Sequence, residues 1–425
     1  MNLDGKRLLI LAGSHNEVPL VKRAKELGIY TIVTDYYEPK KSPAKKIADE
    51  YWNISWDDTD ALEKKCIERK VDGVTGGYSE FVIEAVIRLC ERLGLPCYCT
   101  MEQLDITRDK IKFKETCRKN NVPVVHEYES IEDVSHFPVI VKPVDRAGSI
   151  GISIASDRAE LKKAYDYAME MSVCKKVIIE DYISDGRKFD VIYAISNGEI
   201  SYLSSSDTIN AKNNGLEKVV QSGWTFPSKY ENDYFKTVDA AMRDMIADMK
   251  VEHGYIFFSG FAIPQKTETA FVFFECGFRL SGGHLYSYIR RKGNSDIQDI
   301  FIMHALSGKT EGISIDENKN RDLKCLMLNY YATHGTIEKI DGIEEISKLP
   351  DCTLAMQIAR KGAVCRDDRA ILSKIGMFHF CNESIDSLKE DLCYANRMLD
   401  VRSEDENDMV YDRINPELLN EAWKV

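Results

Sequence analysis

Residues 137–153 place a lysine beside a loop of small residues, a combination that suits the binding of a phosphate chain. Apolar residues lead into Lys142 and a proline follows it, which predicts a short buried strand that ends in a cation. In the loop, Gly148, Ser149 and Gly151 leave backbone N–H groups free to turn towards an anion. A Walker motif is excluded, because the lysine precedes the glycines and G-x-x-x-x-G-K-[ST] is absent. An ordinary hairpin turn beside a solvated lysine remains the alternative.

A second cation lies at the start of a predicted helix. The amphipathic pattern that follows Thr107, which we predict to be the N-cap, places Lys110 in the first helical turn. Because the helix dipole repels cations there, this position costs free energy unless an anion lies nearby. Lys110 is therefore a candidate phosphate ligand, and a lysine on a solvated helix face is the alternative.

Two charged residues stand out in the aromatic-rich run 271–284. The run predicts a core strand, yet Glu275 lies within it and Arg279 just beyond it. Buried charges need a partner, so the two side chains either pair with each other or hold a metal ion or a ligand. Gly282 and Gly283 follow directly and would let a ligand approach the backbone.

An acidic strand end precedes a reversal of the chain. The apolar strand that begins near residue 176 ends in Glu180 and Asp181, and the chain turns at 185–186 into another strand. Such a crossing exposes backbone N–H and C=O groups that can pair with a planar base. A plain hairpin would give the same pattern.

Composition restricts the partners. The chain has 425 residues and a formal net charge of −12, which argues against nucleic acid or an anionic membrane surface as a partner. Any anionic ligand must therefore be held by locally placed cations. The chain starts without a signal segment and no stretch approaches about 18 apolar residues, so we expect a cytoplasmic protein. The 12 cysteines and 8 histidines show no metal-ligand spacing, which predicts reduced, mostly buried thiols.

The elements that would position these residues alternate between strands and helices. Strand patterns near 6–12, 29–34, 50–54 and 73–75 are separated by helical patterns, which predicts an open parallel α/β domain over residues 1–98. Ligands of such a domain bind at the carboxyl ends of the strands. Nicotinamide binding is disfavoured, because G-x-G-x-x-G is absent after the first strand.

In this order, the motifs resemble those of the ATP-grasp superfamily, and within it the carboxylate–amine ligases of the L-amino acid ligase and biotin-carboxylase-like branch. The resemblance covers nearly the whole chain and implies a fold of mixed class, α/β and α+β. It implies a pre-ATP-grasp α/β domain over 1–98 and an ATP-grasp domain over 99–314, with a lid subdomain at about 112–180. A C-terminal mixed α/β module, a cap or a dimerisation domain, would occupy 315–425.

The resemblance also implies ATP and Mg2+ as cofactors and gives each motif a role. Lys110 and Lys142 would neutralise the α- and β-phosphates, while the loop 145–152 closes over the γ-phosphate. Glu275 would hold Mg2+, and Arg279 would bind the substrate carboxylate and the developing oxyanion. The other nucleotide-binding residues that the resemblance implies are Gly148, Ser149, Gly151, Glu180, Asp181, Tyr182, Ile183, Lys188 and Phe273.

The sequence departs from the family pattern at the metal site. The family's Glu-x-Asn has Gly277 at the asparagine position, and the acid expected on the preceding strand falls near residues 262–263. Lys188 occupies the position of a ribose-binding acid, for which Asp190 could substitute. We therefore expect Glu275 to hold Mg2+ with help from phosphates and water, or catalysis to be weak.

The implied activity is the ATP-dependent ligation of a small carboxylate to a small amine through an acyl phosphate, carried out by a homodimer. Two related activities stay open, those of a phosphoribosylamine–glycine ligase and of a carbamoyl-phosphate-synthase-like enzyme. The second is disfavoured, because the chain contains no second copy of the motifs. From another class, an ATP-binding regulator or pseudoenzyme fits the missing metal ligands. The acceptor would lie near the loops of the first domain and residues 204–227.

Overall fold

The computed structural model describes residues 3–146, 150–211, 220–366 and 373–424. Residues 147–149 of the predicted phosphate loop, among them Gly148 and Ser149, lie outside these ranges. Within the ranges, no helix combines the length and the apolar character needed to cross a bilayer.

The first part of the chain forms a parallel sheet with helices on both faces. Its elements are β1 (Arg7–Leu11), α1 (Glu17–Glu26), β2 (Tyr30–Thr34), β3 (Glu50–Trp52), α2 (Thr59–Arg69), β4 (Gly73–Thr75) and α3 (Glu80–Leu93). The strand order is β3-β2-β1-β4. Side chains alternate along β1, so Leu8 and Ile10 pack towards α1, whereas Leu9 and Leu11 pack towards α2 and α3. The predicted open parallel α/β arrangement is confirmed.

Two short helices lead from this sheet to the rest of the chain, α4 (Met101–Arg108) and α5 (Lys110–Lys119). The prediction that Thr107 caps the lysine-bearing helix is wrong, because Thr107 is buried inside α4 and its hydroxyl donates to a carbonyl of that helix. Asp109 is the N-cap, since its carboxylate accepts from two backbone N–H groups in the first turn of α5. Lys110 still lies in the first turn, as predicted.

A small antiparallel sheet follows, covered on one face by a helix. Its elements are β5 (Glu127–Tyr128), β6 (Val139–Pro143), β7 (Ser153–Ala155), α6 (Arg158–Met171) and β8 (Val177–Asp181), with the strands in the order β5-β8-β6-β7. Val139, Val141 and Ile179 lie beneath α6 in an apolar core of their own. Because side chains alternate along a strand, Lys142 and Glu180 point to the opposite face of this small sheet.

A large antiparallel sheet contains most of the remaining strands, in the order β13-β12-β9-β10-β11-β14-β18-β16. The elements up to residue 331 are β9 (Arg187–Ser196), β10 (Glu199–Asn210), β11 (Gln221–Phe226), α7 (Glu231–Thr237), α8 (Asp239–Asp248), β12 (Gly254–Pro264), β13 (Thr269–Phe278), α9 (Tyr286–Arg291), α10 (Ile297–Ser307) and β14 (Lys324–Tyr331). Those that follow are β15 (Gly335–Asp341), α11 (Ile343–Ser347), β16 (Cys352–Gln357), β17 (Val364–Cys365), β18 (Lys374–Asn382), α12 (Ile385–Met398) and β19 (Asp400–Ser403). Because β14 pairs with β11, the sheet continues across residue 314, where a domain boundary was predicted.

One face of the large sheet forms the main core, and the other face is open. Phe189, Tyr193 and Phe258 are fully buried on the covered face, where they lie with apolar residues of α5 and α8. Along β9, Lys188, Asp190 and Ile192 alternate with these core residues and point to the open face, because successive side chains of a strand alternate. Lys188 and Asp190 are therefore on the same side as each other and face a cavity.

Candidate active site

Four polar side chains lie side by side across the open face of the large sheet. They are Glu275 on β13, Ser259 on β12, Asp190 on β9 and Ser206 on β10, and each is the register partner of the next. We call these four side chains the polar row. Neighbouring strands are about 4.8 Å apart, so the polar row gathers two carboxylates and two hydroxyls across three interstrand spacings. The Ser259 hydroxyl donates to Asp190 Oδ1 at 2.6 Å and thereby orients that carboxylate.

The polar row corrects the expected place of the second metal ligand. The residue opposite Glu275 is Ser259, whereas Ala262 and Ile263 lie further along β12. Asp190, on the far side of Ser259, supplies a second carboxylate instead. In the part of the chain that the structure describes, no three His, Cys, Asp or Glu side chains gather closely enough to hold a metal. A bound Mg2+ would therefore rest on two carboxylates, completed by phosphate and water oxygens.

A β-bulge in β13 decides which residues face the polar row. The register with β12 shifts between Ser259 and Gly260, which leaves Phe274 as an extra residue on β13. Phe273 consequently lies in the main core with 0% exposure, and both Phe274 and Glu275 point to the open face. Strict alternation would have put Phe273 and Glu275 on one face. The side chain of Phe273 thus points away from the site, and Phe274 takes its expected place.

Lys142 is held in position by the carboxylate of Glu180. Its Nζ lies 2.5 Å from Glu180 Oε2, and only 6% of Lys142 is exposed. Lys114, which is fully buried, contacts the other carboxylate oxygen of Glu180 and lies 3.0 Å from Glu127. The Nζ of Lys142 also lies 5.5 Å from the centre of the Phe274 ring. Lys142 therefore faces the polar row across the gap between the two sheets.

Lys110 approaches the same gap from the start of α5. Its Nζ donates to the backbone carbonyls of Val144, at 3.2 Å, and Arg146, at 3.1 Å, at the edge of the predicted phosphate loop. Burial lowers the pKa of Lys110, the carboxylate of Glu275 acts to raise it, and the charge of Lys142 lowers it further. Lys110 contacts the carbonyl two residues after Lys142, and Lys142 lies 5.5 Å from the ring of Phe274, the residue before Glu275. The structure thus brings the two lysines and the carboxylate into one region.

Gly151 has a structural reason to be glycine. Its φ is +77°, and a Cβ there would lie 2.6 Å from Pro143 Cγ and 2.8 Å from Met171 Cβ. A larger residue would collide with both β6 and α6. Gly151 therefore fixes the point at which the predicted phosphate loop rejoins the small sheet.

The residues at the end of β8, predicted to contact a planar base, point to two different faces of the small sheet. Asp181 points away from the gap and accepts a hydrogen bond from the Tyr128 hydroxyl at 2.6 Å, so its side chain is not part of the site. Tyr182 is 39% exposed, and Ile183 is half-buried at the turn into β9. Lys188 lines the cavity over the polar row. From this strand end, the side chain of Glu180 faces the gap and that of Asp181 does not, and Ile183 lies at the turn beyond them.

Arg279 is anchored to the first part of the chain. Its Nε donates to Glu80 Oε1 at 2.6 Å, and its guanidinium carbon lies 5.2 Å from the centre of the Phe257 ring. The pair with Glu275 that the sequence left open is absent, and among the described residues Glu275 has no ion-pair partner. Arg279 thus lies at the junction between the first sheet and the open face, next to a residue that lines the cavity.

A cavity of about 390 Å³ opens over the polar row. Gln221, Trp224 and Phe226 line it, in agreement with the prediction that residues 204–227 shape a pocket. Asn16 reaches it from the loop after β1. Asn329 is 4% exposed and lines the wall, and its Oδ1 lacks a hydrogen-bond partner among the described residues. An orphaned buried oxygen indicates that this central cavity accepts a hydrogen-bond donor from a ligand.

Besides Ser259, sequence reasoning missed Lys114, Asn329 and Lys374. Lys114 lies four residues after Lys110, on the same face of α5, and that spacing was a usable signal. Asn329 is a polar residue inside an apolar strand, which was a second usable signal. Lys374 begins β18 and lines the central cavity, where burial lowers its pKa to about 8. Its position depends on long-range packing, so no local pattern indicates it.

A family model and several curated proteins match parts of this chain in sequence. The family model described as D-ala D-ala ligase C-terminus matches residues 101–252. The formate-dependent phosphoribosylglycinamide formyltransferase of Prochlorococcus marinus (strain MIT 9312) is 28% identical over 203 residues, which are 45% of this chain and 51% of that protein. The chain therefore spans about half the length of the curated relatives it matches.

Solved structures cover the chain almost completely. The L-amino acid ligase of Bacillus licheniformis matches with a TM-score of 0.75 and 18% identity, over 94% of this chain and 99% of that one. The biotin carboxylase domain dimer of Hydrogenobacter thermophilus 2-oxoglutarate carboxylase, solved with MgADP and bicarbonate, matches with a TM-score of 0.76 and 17% identity, over 99% and 94%. The chain has the ATP-grasp fold. The fold class predicted from the sequence is confirmed.

In this ATP-grasp chain the candidate residues lie on two facing surfaces. The small sheet contributes Lys142 with its partner Glu180. The large sheet contributes Glu275 and Asp190. A ligand in the gap would thus meet cations on one side and carboxylates on the other, which is the arrangement needed for a polyphosphate with a divalent cation.

Proposed function

We propose that the protein is an ATP-dependent ligase that joins a small carboxylate to a small amine through an acyl phosphate. The observation that carries the proposal is the meeting of Lys110 and Lys142 with Glu275 in the gap between the two sheets. Two ammonium groups opposite a carboxylate suit a triphosphate that brings its own metal ion. The ATP-grasp fold and the ligases among the structural matches support the same class of reaction.

In this proposal the two lysines neutralise the phosphate chain. Lys142 is already oriented by Glu180, so it needs little reorganisation when an anion binds. Lys110 sits at the N-terminus of α5, and burial lowers its pKa, so an anion beside it relieves an unfavourable position. Gly148 and Ser149, outside the described residues, remain the candidate backbone ligands of the γ-phosphate.

The polar row fits Mg2+, a hard cation that prefers oxygen ligands. Glu275 is exposed to the cavity and, among the described residues, has no cation to neutralise it, while Asp190 is fixed by Ser259. Glu275 and Asp190 would hold the ion in this proposal. The chemistry that Mg2+ supplies when bound is neutralisation of the phosphate oxygens during phosphoryl transfer.

The base of ATP is assigned to the turn from β8 into β9. Ile183 and Phe274 offer apolar surface there. The backbone N–H groups of Asp181 and Tyr182 already donate to the carbonyls of His126 and Pro138, so their own carbonyl oxygens are the backbone groups left for the base. Lys188 lies between this turn and the polar row, which suits the ribose or a phosphate.

The chemical step needs positioning more than covalent help from the protein. An oxygen of the substrate carboxylate bonds to the γ-phosphorus as the bond to the ADP oxygen breaks, and the amine then attacks the acyl carbon while inorganic phosphate leaves with the proton. Arg279 is proposed to bind the carboxylate and the oxyanion that develops on it. Its anchoring by Glu80 fixes the fork of donors in one orientation.

A screen of ADP release over pairs of carboxylates and amines, with Mg2+ and with product masses recorded, tests this function. Amino acids and phosphoribosylamine with glycine belong in the panel, so that both ligase alternatives are covered. We expect ADP and an amide product with at least one pair. ATP binding without ADP release for every pair would favour the regulator alternative, for which the presence of two acidic ligands in place of three is the motivating observation.

Three further assignments belong to the proposal. All twelve cysteines are free thiols, which suits the reducing cytoplasm.

We propose a homodimer, as described for the biotin carboxylase domain above, and light scattering in solution tests it. The domain boundaries at 98/99 and 314/315 are tested by limited proteolysis, which should cut near them if the three parts fold separately.

A further inference from the structure

Lys374 reaches the central cavity because of a β-bulge in β18. The register of β18 with β14 shifts between Tyr330 and Tyr331, so that Tyr331 is the partner of Lys374 and Ile375 is left as an extra residue. Ile375 is fully buried in the core of the C-terminal strands, and Lys374 turns to the face that lines the cavity. Strict alternation from Met377, which also lines the cavity, would have placed Ile375 there instead.

The surroundings of Lys374 disfavour its charge and offer it no acidic partner among the described residues. Its Nζ lies 5.8 Å from the centre of the Tyr331 ring, and two methionines, Met327 and Met377, line the same cavity. Burial lowers its pKa to about 8. A lysine in such surroundings can gain and lose a proton near neutral pH, which an exposed lysine does not.

Charged and titratable groups face Lys374 from two cavities. In the central cavity they are Lys188, Asp190 and Glu275, of which the two carboxylates are already assigned to Mg2+. Lys374 also lines a neighbouring cavity of about 560 Å³, between the loop after β2 and strands β16 to β18. The groups on that side are His15, Lys40, Lys41, Lys46 and Arg360. None of them can neutralise Lys374.

Two buried histidines near Lys374 are poor proton acceptors. His284 and His379 are 1% and 0% exposed, and neither lines the central cavity. Burial, with a smaller effect from the charge of Lys374, lowers the pKa of each to about 3. Both imidazoles therefore stay neutral and bind a proton too weakly to take one from an amine.

Asn329 supplies a hydrogen-bond acceptor on the same face as Lys374. Its Nδ2 donates to the Tyr331 hydroxyl at 3.4 Å, and that hydroxyl donates to the carbonyl of Gln221 at 3.2 Å, which fixes the carboxamide. Its Oδ1 has no partner among the described residues. A carboxamide oxygen beside a lysine suits a group that donates protons, whereas an anion would meet the lone pairs of that oxygen.

We infer that Lys374 is the general base of the amide-forming step and that it binds the amine substrate together with Asn329 Oδ1. The inference rests on the proposed function for the acyl phosphate. An amine arrives as an ammonium group, which has no free electron pair with which to attack a carbonyl carbon. The uncharged Nζ of Lys374 accepts one proton from it, and the nitrogen then bonds to the acyl carbon as the bond from that carbon to the phosphate oxygen breaks. The second proton leaves with inorganic phosphate.

Hydroxylamine separates this proton transfer from the formation of the acyl phosphate. It is largely uncharged at neutral pH and needs no base, so it traps the acyl phosphate as a hydroxamate. With the panel of carboxylates, we expect Lys374→Arg to lower amide formation by about 100-fold and to leave hydroxamate formation close to that of wild type. Arginine keeps the positive charge but stays protonated, so it cannot act as a base. Lys361→Arg is the matched control, because Lys361 is exposed and pairs with Glu338, and both products should form as in wild type.

The pH dependence gives a readout that a purely structural role would not change. In wild type at saturating amine, amide formation should level off above about pH 8, where Lys374 is uncharged. In Lys374→Met only the uncharged amine in solution reacts, so the rate should keep rising with pH until the amine itself is fully deprotonated. This variant removes a charge that burial disfavours, so it keeps the test valid if Lys374→Arg does not fold.

An NMR titration follows Lys374 without any catalysis. In the full chain labelled with 13C at the lysine ε-carbons, the signal that is missing from Lys374→Met belongs to Lys374. We expect that signal to titrate near pH 8. A titration at about 10.4, the ordinary value for lysine, would overturn the inference.

These measurements separate the inference from the proposed function. Equal losses of amide and hydroxamate in the Lys374 variants, or no loss of either, refute the base and leave the ligase standing when wild type releases ADP. No ADP and no hydroxamate from any carboxylate in wild type refutes the ligase, and the step assigned to Lys374 with it. Selective loss of the amide, with a Lys374 signal that titrates near pH 8, supports both.

Discussion

Arg279 Nε lies 2.6 Å from Glu80 Oε1, although 199 residues separate the two in the chain. Glu80 is the first residue of α3, which begins after the short loop 76–79 at the carboxyl end of β4. The pair therefore ties the end of β13, which carries Glu275, to the edge of the first sheet where ligands of such sheets bind. A substrate held by Arg279 would be held by both parts of the protein.

This relationship predicts different effects for the two partners. Arg279→Met should lower kcat by about 100-fold or more, because it removes the donors proposed for the carboxylate and the oxyanion. Glu80→Gln keeps Arg279 but loosens its orientation, so we expect about a 10-fold loss, mainly in KM for the carboxylate. Steady-state ADP release measures both. Equal losses in the two variants, with equal falls in Tm, would reduce the pair to a structural contact.

Local patterns predicted the first sheet and the position of Lys142, because both depend on features that are contiguous in sequence. The strand that ends in Lys142 is marked by its own apolar residues and the proline after it. The alternation along β6 and β8 then suffices to bring Lys142 and Glu180 to one face. For such elements, a few consecutive residues are enough to predict the strand and the face on which each side chain lies.

The bulge and the polar row depend on pairing between strands, which single-sequence reasoning does not supply. Phe273 was expected at the site from the family resemblance. Strict alternation would put it on the face of Glu275, and one extra residue in β13 reverses this. Ser259 could be assigned to the metal-ligand position only once its register with Glu275 was known. The same holds for Lys374, which reaches the cavity through tertiary packing alone.

Lys142→Met should reduce ADP release by at least about 100-fold and leave the fold intact. The cation proposed for the phosphates is lost, but Glu180 keeps its contact with Lys114 and is not left as an unpaired buried charge. Lys176→Met is the matched control, since Lys176 is exposed next to the start of β8. Turnover in Lys142→Met equal to that of the control would remove Lys142 from the site.

Glu275→Gln and Asp190→Asn should raise the Mg2+ concentration needed for half-maximal ADP release. We expect about a 10-fold or larger rise for Glu275→Gln, since no cation among the described residues forms an ion pair with that carboxylate. A smaller rise is expected for Asp190→Asn, whose side chain still accepts from Ser259. Asp185→Asn, an exposed acid in the turn before β9, should leave the Mg2+ dependence unchanged. An effect of Asp190→Asn as large as that of Glu275→Gln would make the two carboxylates equal ligands.

The burial of Lys374 predicts that this residue lowers the free energy of unfolding by an amount that depends on pH. Burial lowers its pKa to about 8, from about 10.4 in the unfolded chain. The unfolded chain therefore binds the extra proton between these values, so the cost is fully present below pH 8 and fades as the pH rises towards 10.4. Lys374→Met should accordingly raise the free energy of unfolding by about 2 kcal/mol at pH 7, a figure reduced for partial exposure, and by much less at pH 9.5.

Denaturant unfolding of wild type and Lys374→Met at pH 7 and 9.5 measures this difference. Lys361→Met is the control, because Lys361 is exposed and lies 3.3 Å from the carboxylate of Glu338, so its replacement should show no such pH dependence. An equal change in the free energy of unfolding at both pH values in Lys374→Met would show that the charge of Lys374 costs the folded protein nothing.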